Sequence, residues 1–554
     1  MIQTRLAWNA VKNMARMAVR DPLWAITALA LAPFRHLKRV LWATAGITLA
    51  SAVIMLVSLS TLNALGFGKG SLPWLVFNIL LPLFPISLTY RLLTNALIVS
   101  FGDLSEPTHG SARFAIAKEI APLKVARSGL LIGRDPKTRK LLRHTGPAHL
   151  LTIAPTRTGK GVGTIIPNLL VADRSIICVD PKGENARIAG RARQSFGPVH
   201  VLDPFSVTGV KSAAFNPLDM LELDGVDVAE DAHALADALV FDEPGLSGEA
   251  HWNEEAKALI SGLLLMIVAF EPPDRKHLAT LREYLTLPPD RFNTLLVRMQ
   301  EQDGVNGLVA RAANRHIGKS DREAAGVLSS AQRHTHFLDS PRMTGVLERT
   351  DFRFADLKQR RATVFLVLPP ERLSTYARWL RLLISQSLSD MTRGPGTPDE
   401  PVLYLLDEFA ALGHLAPIER AMGLMAGYGV QLWPILQDIH QLRATYGGMA
   451  GTFISNSGVL QIFGVNDHDT ARLVSDLLGQ ETIVFQTMAR ALDSENTGIT
   501  FSQQRTGRPL LTPDEVRNLP PDSQLLLLTG QRPIFAGKIA YYRDPEFRGL
   551  FHQS

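Results

Sequence analysis

One cysteine, Cys178, occurs in 554 residues, which excludes an internal disulfide. Set in the apolar run SIICVD, its thiol reads as a small buried hydrophobe. No internal repeat or low-complexity tract is present. With 46% hydrophobic and 20% charged residues, the chain is neither disordered nor wholly soluble in composition. His251, His316, His334 and His336 invite a metal reading, but no pair has ligand spacing with a partner acid. They are expected to be surface or packing side chains.

Charge is scarcest near the N-terminus. Residues 40–68 and again 70–90 contain no charged side chain, with Lys69 between them. A helix of about 20 apolar residues crosses a bilayer. The two stretches are therefore expected to span a membrane at about 41–65 and 72–90, the second kinked at Pro82 and Pro85. Residues 1–40 carry Arg5, Lys12, Arg16, Arg20, Arg35, Lys38 and Arg39 against one acid, Asp21. Arg91, Arg113, Lys118, Lys124 and Arg127 follow the second stretch, so both flanks are expected on the cytoplasmic side. The apolar run starts too late for a signal peptide. The piece 22–34 is too short to cross and suits the membrane surface.

The remainder is too long for one core and is expected to hold two or three domains in all. Its centre is residues 149–170, HLLTIAPTRTGKGVGTIIPNLL. An apolar run at 149–154 reads as a buried strand, followed by a turn of small residues and a helical pattern. Strand, Gly-Lys turn and helix form the layout of a phosphate-binding P-loop. Ala154, Pro155, Thr156, Arg157, Thr158, Gly159, Lys160, Gly161 and Val162 are expected to wrap a triphosphate above the helix N-terminus. Lys160 is expected to reach the β- and γ-phosphates. Against the pattern GxxxxGK[ST], Ala154 replaces the first glycine and Gly161 the magnesium-binding hydroxyl.

A second element, EPVLYLLDEFAALG at 400–413, supplies two acids. The apolar run 402–406 reads as a buried parallel strand that delivers Asp407 and Glu408 to its C-terminal edge, where α/β sheets place ligands. Asp407 is expected to hold Mg²⁺ and Glu408 to polarise the attacking water. The strand 430–436 ends in Gln437, placed either to sense the γ-phosphate or to cap the helix at 438–446. The reading requires the lysine turn and the acid pair to occupy neighbouring strand tips.

Further strands are expected at 175–179, 200–202, 362–368, 458–463 and 524–528, in a mostly parallel sheet with crossover helices. The turn DPKGE at 180–184 either borders the nucleotide or lies on the surface. The basic run 134–143 reads as a solvated loop. Residues 226–349 show helical spacing without strand-like alternation and read as an all-helical insertion. It divides a nucleotide-binding domain into 91–225 and 350–554.

The ordered set GSARFA (110–115), APTRTGKGVG (154–163), DPKGE (180–184), FNPLD (215–219), LLDEFAALG (405–413), LQDIHQL (436–442), LLTPDEVRNLP and KIAYYRDPEF resembles the type IV coupling proteins of bacterial conjugation and type IV secretion, in their TraG-like branch. The resemblance implies a RecA-like P-loop NTPase of α/β class that uses ATP and Mg²⁺. It implies a homo-hexamer at the inner membrane that brings a relaxase bound to single-stranded DNA, or effector proteins, to a secretion channel. Lys160, Asp407, Glu408 and Gln437 fall on the family's functional positions. Without a hydroxyl at 161, Mg²⁺ falls to Asp407 and waters, with Thr158 or Thr164 as candidates. Some members carry a trans-acting arginine after the acid pair; GLMAGYG at 423–429 has none, leaving Arg420 or Arg443. The alternatives are a nucleotide-binding receptor with little hydrolysis and a double-stranded-DNA translocase of the chromosome-segregation type. The latter is disfavoured because no winged-helix reader follows KIAYYRDPEF.

Overall fold

The computed structural model describes residues 2–20, 22–68, 71, 72, 74, 76, 110–126, 128–240, 250–393, 396–490 and 499–552. They fall in two compact units, Met1–Ser111 with Glu481–Arg508, and Ala112–Gln480 with Pro509–Ser554.

In chain order the strands are β1 (Leu130–Arg134), β2 (Leu141–His144), β3 (His149–Ile153), β4 (Ile176–Val179), β5 (Val199–Leu202) and β6 (Thr363–Leu366). Then come β7 (Val402–Leu406), β8 (Val430–Leu436), β9 (Ser457–Ile462), β10 (Gln480–Arg490), β11 (Ile499–Pro509), β12 (Ser523–Leu528) and β13 (Ile534–Gly537). Eleven of them form one sheet in the order β2-β1-β13-β12-β9-β3-β8-β7-β4-β6-β5. From β9 to β5 every neighbouring pair is parallel; β12, β13, β1 and β2 extend the sheet antiparallel. Of the parallel strands, β3, β4, β6, β7 and β8 are buried along their whole length, which is why they read as largely apolar runs, while edge strand β5 is half-buried at its start.

Side-chain alternation splits these strands between two cores. Leu151, Ile153, Ile177, Val179, Tyr404 and Leu406 face one; Leu150, Cys178, Leu403, Leu405, Trp433 and Ile435 face the other. The second core is closed by helices Ile166–Val171 and Glu184–Gln194. The first is closed by helix Pro370–Thr392 and by a helical stretch between β5 and β6 that includes Val228–Leu239, Ala250–Phe270 and Asp321–Thr335. No strand occurs among the described residues of that stretch.

The basic run at 134–143 is not wholly solvated. Arg134 is buried and pairs with Asp544 and Glu546, each at 2.9 Å, while residues 136–140 form an exposed turn. The neighbouring-tip expectation is also corrected: β8 lies between β3 and β7. Two inter-strand steps of about 4.8 Å put the P-loop strand and the acid strand roughly 10 Å apart, a gap that long side chains have to close.

In the first unit, helix Pro22–Ala64 contains one segment long and apolar enough to cross a membrane, Thr44–Ala64, with mean hydropathy 2.0 and no buried share. The hydroxyls of Thr48, Ser51, Ser58 and Thr61 donate to carbonyls four residues back, at 2.6–3.0 Å. The second expected span, 72–90, lies outside the described residues apart from 72, 74 and 76. Strands β10 and β11 pair as a separate two-stranded sheet.

Candidate active site

The turn after β3 takes its shape from two left-handed residues, Arg157 (φ 63°) and Gly159 (φ 94°). Ala154 is not among them. It is buried and its N–H donates to Leu436 O at 2.8 Å, so the position continues the strand and needs no glycine. Left-handed backbone at a non-glycine residue costs on the order of 1 kcal/mol and concentrates at functional sites. The amides of Thr156, Arg157, Thr158 and Gly159 donate to no backbone carbonyl among the described residues, which leaves them available to an anion. The following helix opens with a π turn, Gly161–Ile165, widened so that Ile166 N donates to Gly161 O.

Two glycines allow the loop to be packed so closely. A Cβ on Gly464, at φ 65°, would lie 2.4 Å from Thr158 Cγ2, and one on Gly163 would lie 2.8 Å from Ile539 O. Gly161 has open space where its Cβ would be, so its lack of a hydroxyl is not imposed by packing.

Across the sheet edge, Glu408 also adopts a left-handed conformation, φ 50°. Its N–H donates to Asp407 Oδ1 at 3.0 Å, which folds the two acids into one tight turn. Lys160 Nζ donates to Glu408 Oε1 at 2.7 Å and lies 3.7 Å from Asp407 Oδ1. Gln437, at the tip of the intervening β8, donates through Nε2 to Glu408 Oε2 at 3.0 Å. The structure thus brings Lys160, Asp407, Glu408 and Gln437 together. Capping of helix Ile439–Tyr446 falls to Asp438, whose side chain accepts from Gln441 N at 2.9 Å.

The two acids titrate in opposite directions. Burial pushes Asp407 up, and the neighbouring Glu408 adds to that against the opposing pull of Lys160. Burial also works upward on Glu408. The hydrogen bond and charge of Lys160, the bond from Gln437 and the charge of Lys182 outweigh it and hold Glu408 below the usual carboxylate range.

Other candidates separate from this cluster. Thr164 is wholly buried and donates to Gln461 Oε1 at 3.2 Å; Thr158 donates to Pro155 O at 2.6 Å. Asp180 turns inward and accepts from Ala186 N at 2.8 Å, whereas Lys182 in the same turn is exposed. Arg420 lines a cavity of about 620 Å³ with Lys257, Arg381 and Tyr428, which no P-loop residue borders. Arg443 is exposed on its helix. Lys538, which opens the run KIAYYRDPEF and is singled out by no local pattern, donates from Nζ to Thr158 O at 2.6 Å. No local spacing connects residues 380 positions apart.

The donor set fits a magnesium nucleoside triphosphate. An ammonium and free amides meet anionic oxygens, and a carboxylate pair stands ready for a hard cation.

A family model described as "Type IV secretory system Conjugative DNA transfer" matches residues 115–553. The conjugal transfer protein TraG of Escherichia coli is 30% identical over 503 residues, covering 81% of this chain and 79% of that protein. Protein VirD4 of Agrobacterium fabrum (strain C58 / ATCC 33970) is 28% identical over 487 residues, covering 84% and 70%. Among solved structures, the bacterial conjugative coupling protein TrwBdeltaN70 in its unbound form has the same fold, with TM-score 0.61, 16% identity and coverage of 80% of this chain and 99% of that one. TrwB in complex with ADP and Mg²⁺ aligns with TM-score 0.59 at 17% identity, covering 80% and 97%.

Proposed function

This chain belongs to the type IV secretory system conjugative DNA transfer family, and we propose that it is an ATP-hydrolysing coupling protein of such a system. In this reading two N-terminal helices hold it in the bacterial inner membrane, with the bulk of the chain in the cytoplasm as a homo-hexamer. It recruits a relaxase–single-stranded DNA complex, or effector proteins, to the secretion channel and drives transfer by ATP hydrolysis. Residues 91–225 and 350–554 form its nucleotide-binding domain, and 226–349 is the inserted helical domain. The observation that carries the reading is the chain of contacts from Lys160 through Glu408 to Gln437 at the tips of parallel strands.

Lys160 and the loop amides bind the phosphates. Asp407 holds Mg²⁺, which when bound offsets the charge that develops on the phosphate oxygens. A triphosphate competes with Glu408 for Lys160, so substrate binding releases the carboxylate. Freed of the Lys160 bond, Glu408 then orients the attacking water and takes its proton as the γ-phosphoryl group leaves. Gln437, bonded to the same carboxylate from β8, moves with that release and reports the γ-phosphate to the adjoining strand and subunit. Basic residues facing the hexamer lumen grip the backbone of the strand without reading its sequence.

Glu408→Gln is expected to lower the ATPase rate of the full chain about 10²-fold or more while keeping nucleotide binding, and Lys160→Ala to lose both. Undiminished hydrolysis in either variant would refute these roles. Gly161 favours one second reading, a receptor that binds nucleotide and turns it over little. Binding without any hydrolysis stimulated by single-stranded DNA would establish it.

A further inference from the structure

Lys538 follows β13 directly and begins a segment laid along the phosphate loop. Ile539 O approaches Gly163 closely enough to exclude a side chain there, and Tyr541 N donates to Val162 O at 3.4 Å. The Lys538 ammonium donates to Thr158 O at 2.6 Å and stands 4.9 Å from the centre of the Phe463 ring. A Cβ on Gly159 would lie 3.9 Å from it. No carboxylate lies within ion-pair distance of Lys538 among the described residues. Burial pulls its pKa down, with only the more distant Asp522 opposing. A carbonyl and a ring face satisfy donors but do not neutralise a charge. A half-buried cation without a counter-ion, fixed to a loop whose amides are free, is completed by an anion in that loop.

We propose that Lys538 is a positioning residue of the nucleotide site, anchoring the Thr158 carbonyl and supplying, with Lys160, a second fixed positive charge for the polyphosphate. This rests on the reading of the loop as a nucleoside triphosphate site. The charge acts most on the species carrying most phosphate charge, so Lys538 favours triphosphate over diphosphate. The C-terminal segment thereby becomes part of the site, and its docking on the loop is coupled to nucleotide binding.

The test measures binding of the fluorescent analogues mant-ATP and mant-ADP, with Mg²⁺, to the full chain in detergent micelles. Lys538→Gln keeps a donor for Thr158 O and removes the charge; Lys538→Arg keeps both. Lys538→Gln is expected to weaken mant-ATP about tenfold and mant-ADP less, and Lys538→Arg to stay near the parent. Parent-like affinity and an unchanged ATP/ADP preference in Lys538→Gln would overturn the proposal, leaving the residue a simple tether. Amine labelling of the unmodified protein gives a second readout that no folding defect can affect. Labelling of Lys538 should fall when a non-hydrolysable ATP analogue is bound, and unchanged labelling counts against the proposal. Failure of the parent chain to bind mant-ATP at all would overturn the nucleotide reading itself, and this inference with it.

Discussion

Asp390 shows what a single buried carboxyl does to pH dependence. It is 2% exposed on helix Pro370–Thr392. Oδ1 accepts a long bond from Gln386 at 3.3 Å, and Oδ2 has no hydrogen-bond partner among the described residues. Burial pushes its pKa up to about 7, with Gln386 and Arg353 offsetting only part. A folded-state pKa above the unfolded value means that the native protein holds the proton more tightly. That stabilisation is complete below about pH 4 and is lost as the pH rises through 7, a change of about 4 kcal/mol. Asp390→Asn is therefore expected to raise the thermal midpoint at pH 8 well above any change it makes at pH 4.5, where most of the stabilisation is still present. Asp180, raised to about 6, titrates in both proteins and cancels from the comparison. Equal shifts at the two pH values would show that ionisation of Asp390 is not the cause. At the same scale, residue type made Lys160, Asp407 and Glu408 legible in the sequence. The left-handed turns at Arg157 and Glu408 that aim them were not, because backbone strain at non-glycine residues leaves no compositional mark.

Among the elements, legibility follows burial. β3, β4, β7 and β8 are buried along their whole length, and their apolar runs stood out. β1, β2 and β13 are four or five residues long, lie toward one edge of the sheet and pair antiparallel. Segments that short are set by their partners rather than by their own pattern. The order of strands was equally hidden, since parallel pairing of β3 with β8 joins segments separated by the whole helical stretch.

One buried cation holds several of these elements in place. Arg193, fully buried at the end of helix Glu184–Gln194, donates to Leu169 O at 3.4 Å, Arg174 O at 2.6 Å and Thr363 Oγ1 at 2.8 Å, and also to Ala172 O. It thus joins the end of the P-loop helix to the start of β4 and to β6. Burial draws its pKa down to about 10, still charged at any working pH. Arg193→Met keeps the stem and strands these acceptors. A loss on the order of 3 kcal/mol in a denaturant titration is expected. Arg193→Lys should recover only part, because an ammonium cannot reproduce the planar fork. A methionine variant as stable as the parent would mean that the acceptors find other donors.

For the whole molecule the deciding question is whether Thr44–Ala64 crosses the membrane. Its 21 residues give a helix of about 31 Å, matching the hydrocarbon thickness. Its serine and threonine hydroxyls are satisfied along the helix itself, so lipid would meet few unpaired donors. The basic residues before it predict that residue 68 emerges on the non-cytoplasmic side of the membrane. The near-absence of cysteine makes this measurable. Cys178 is fully buried and burial pushes its thiol far up, so the parent chain should give almost no labelling background. Gly68 has no neighbour within 4 Å of where a Cβ would sit, and Gly68→Cys should fit. In intact cells a membrane-impermeant maleimide should label Gly68→Cys from outside. Adding Ile54→Arg at the centre of the span costs on the order of 3 kcal/mol of insertion free energy, roughly a hundredfold in the equilibrium, and should abolish that labelling until the cells are permeabilised. Protection of Gly68→Cys in intact cells without the arginine would place residue 68 on the cytoplasmic side. Thr44–Ala64 would then not be a span running outward, and the anchor would have to be sought elsewhere in the chain.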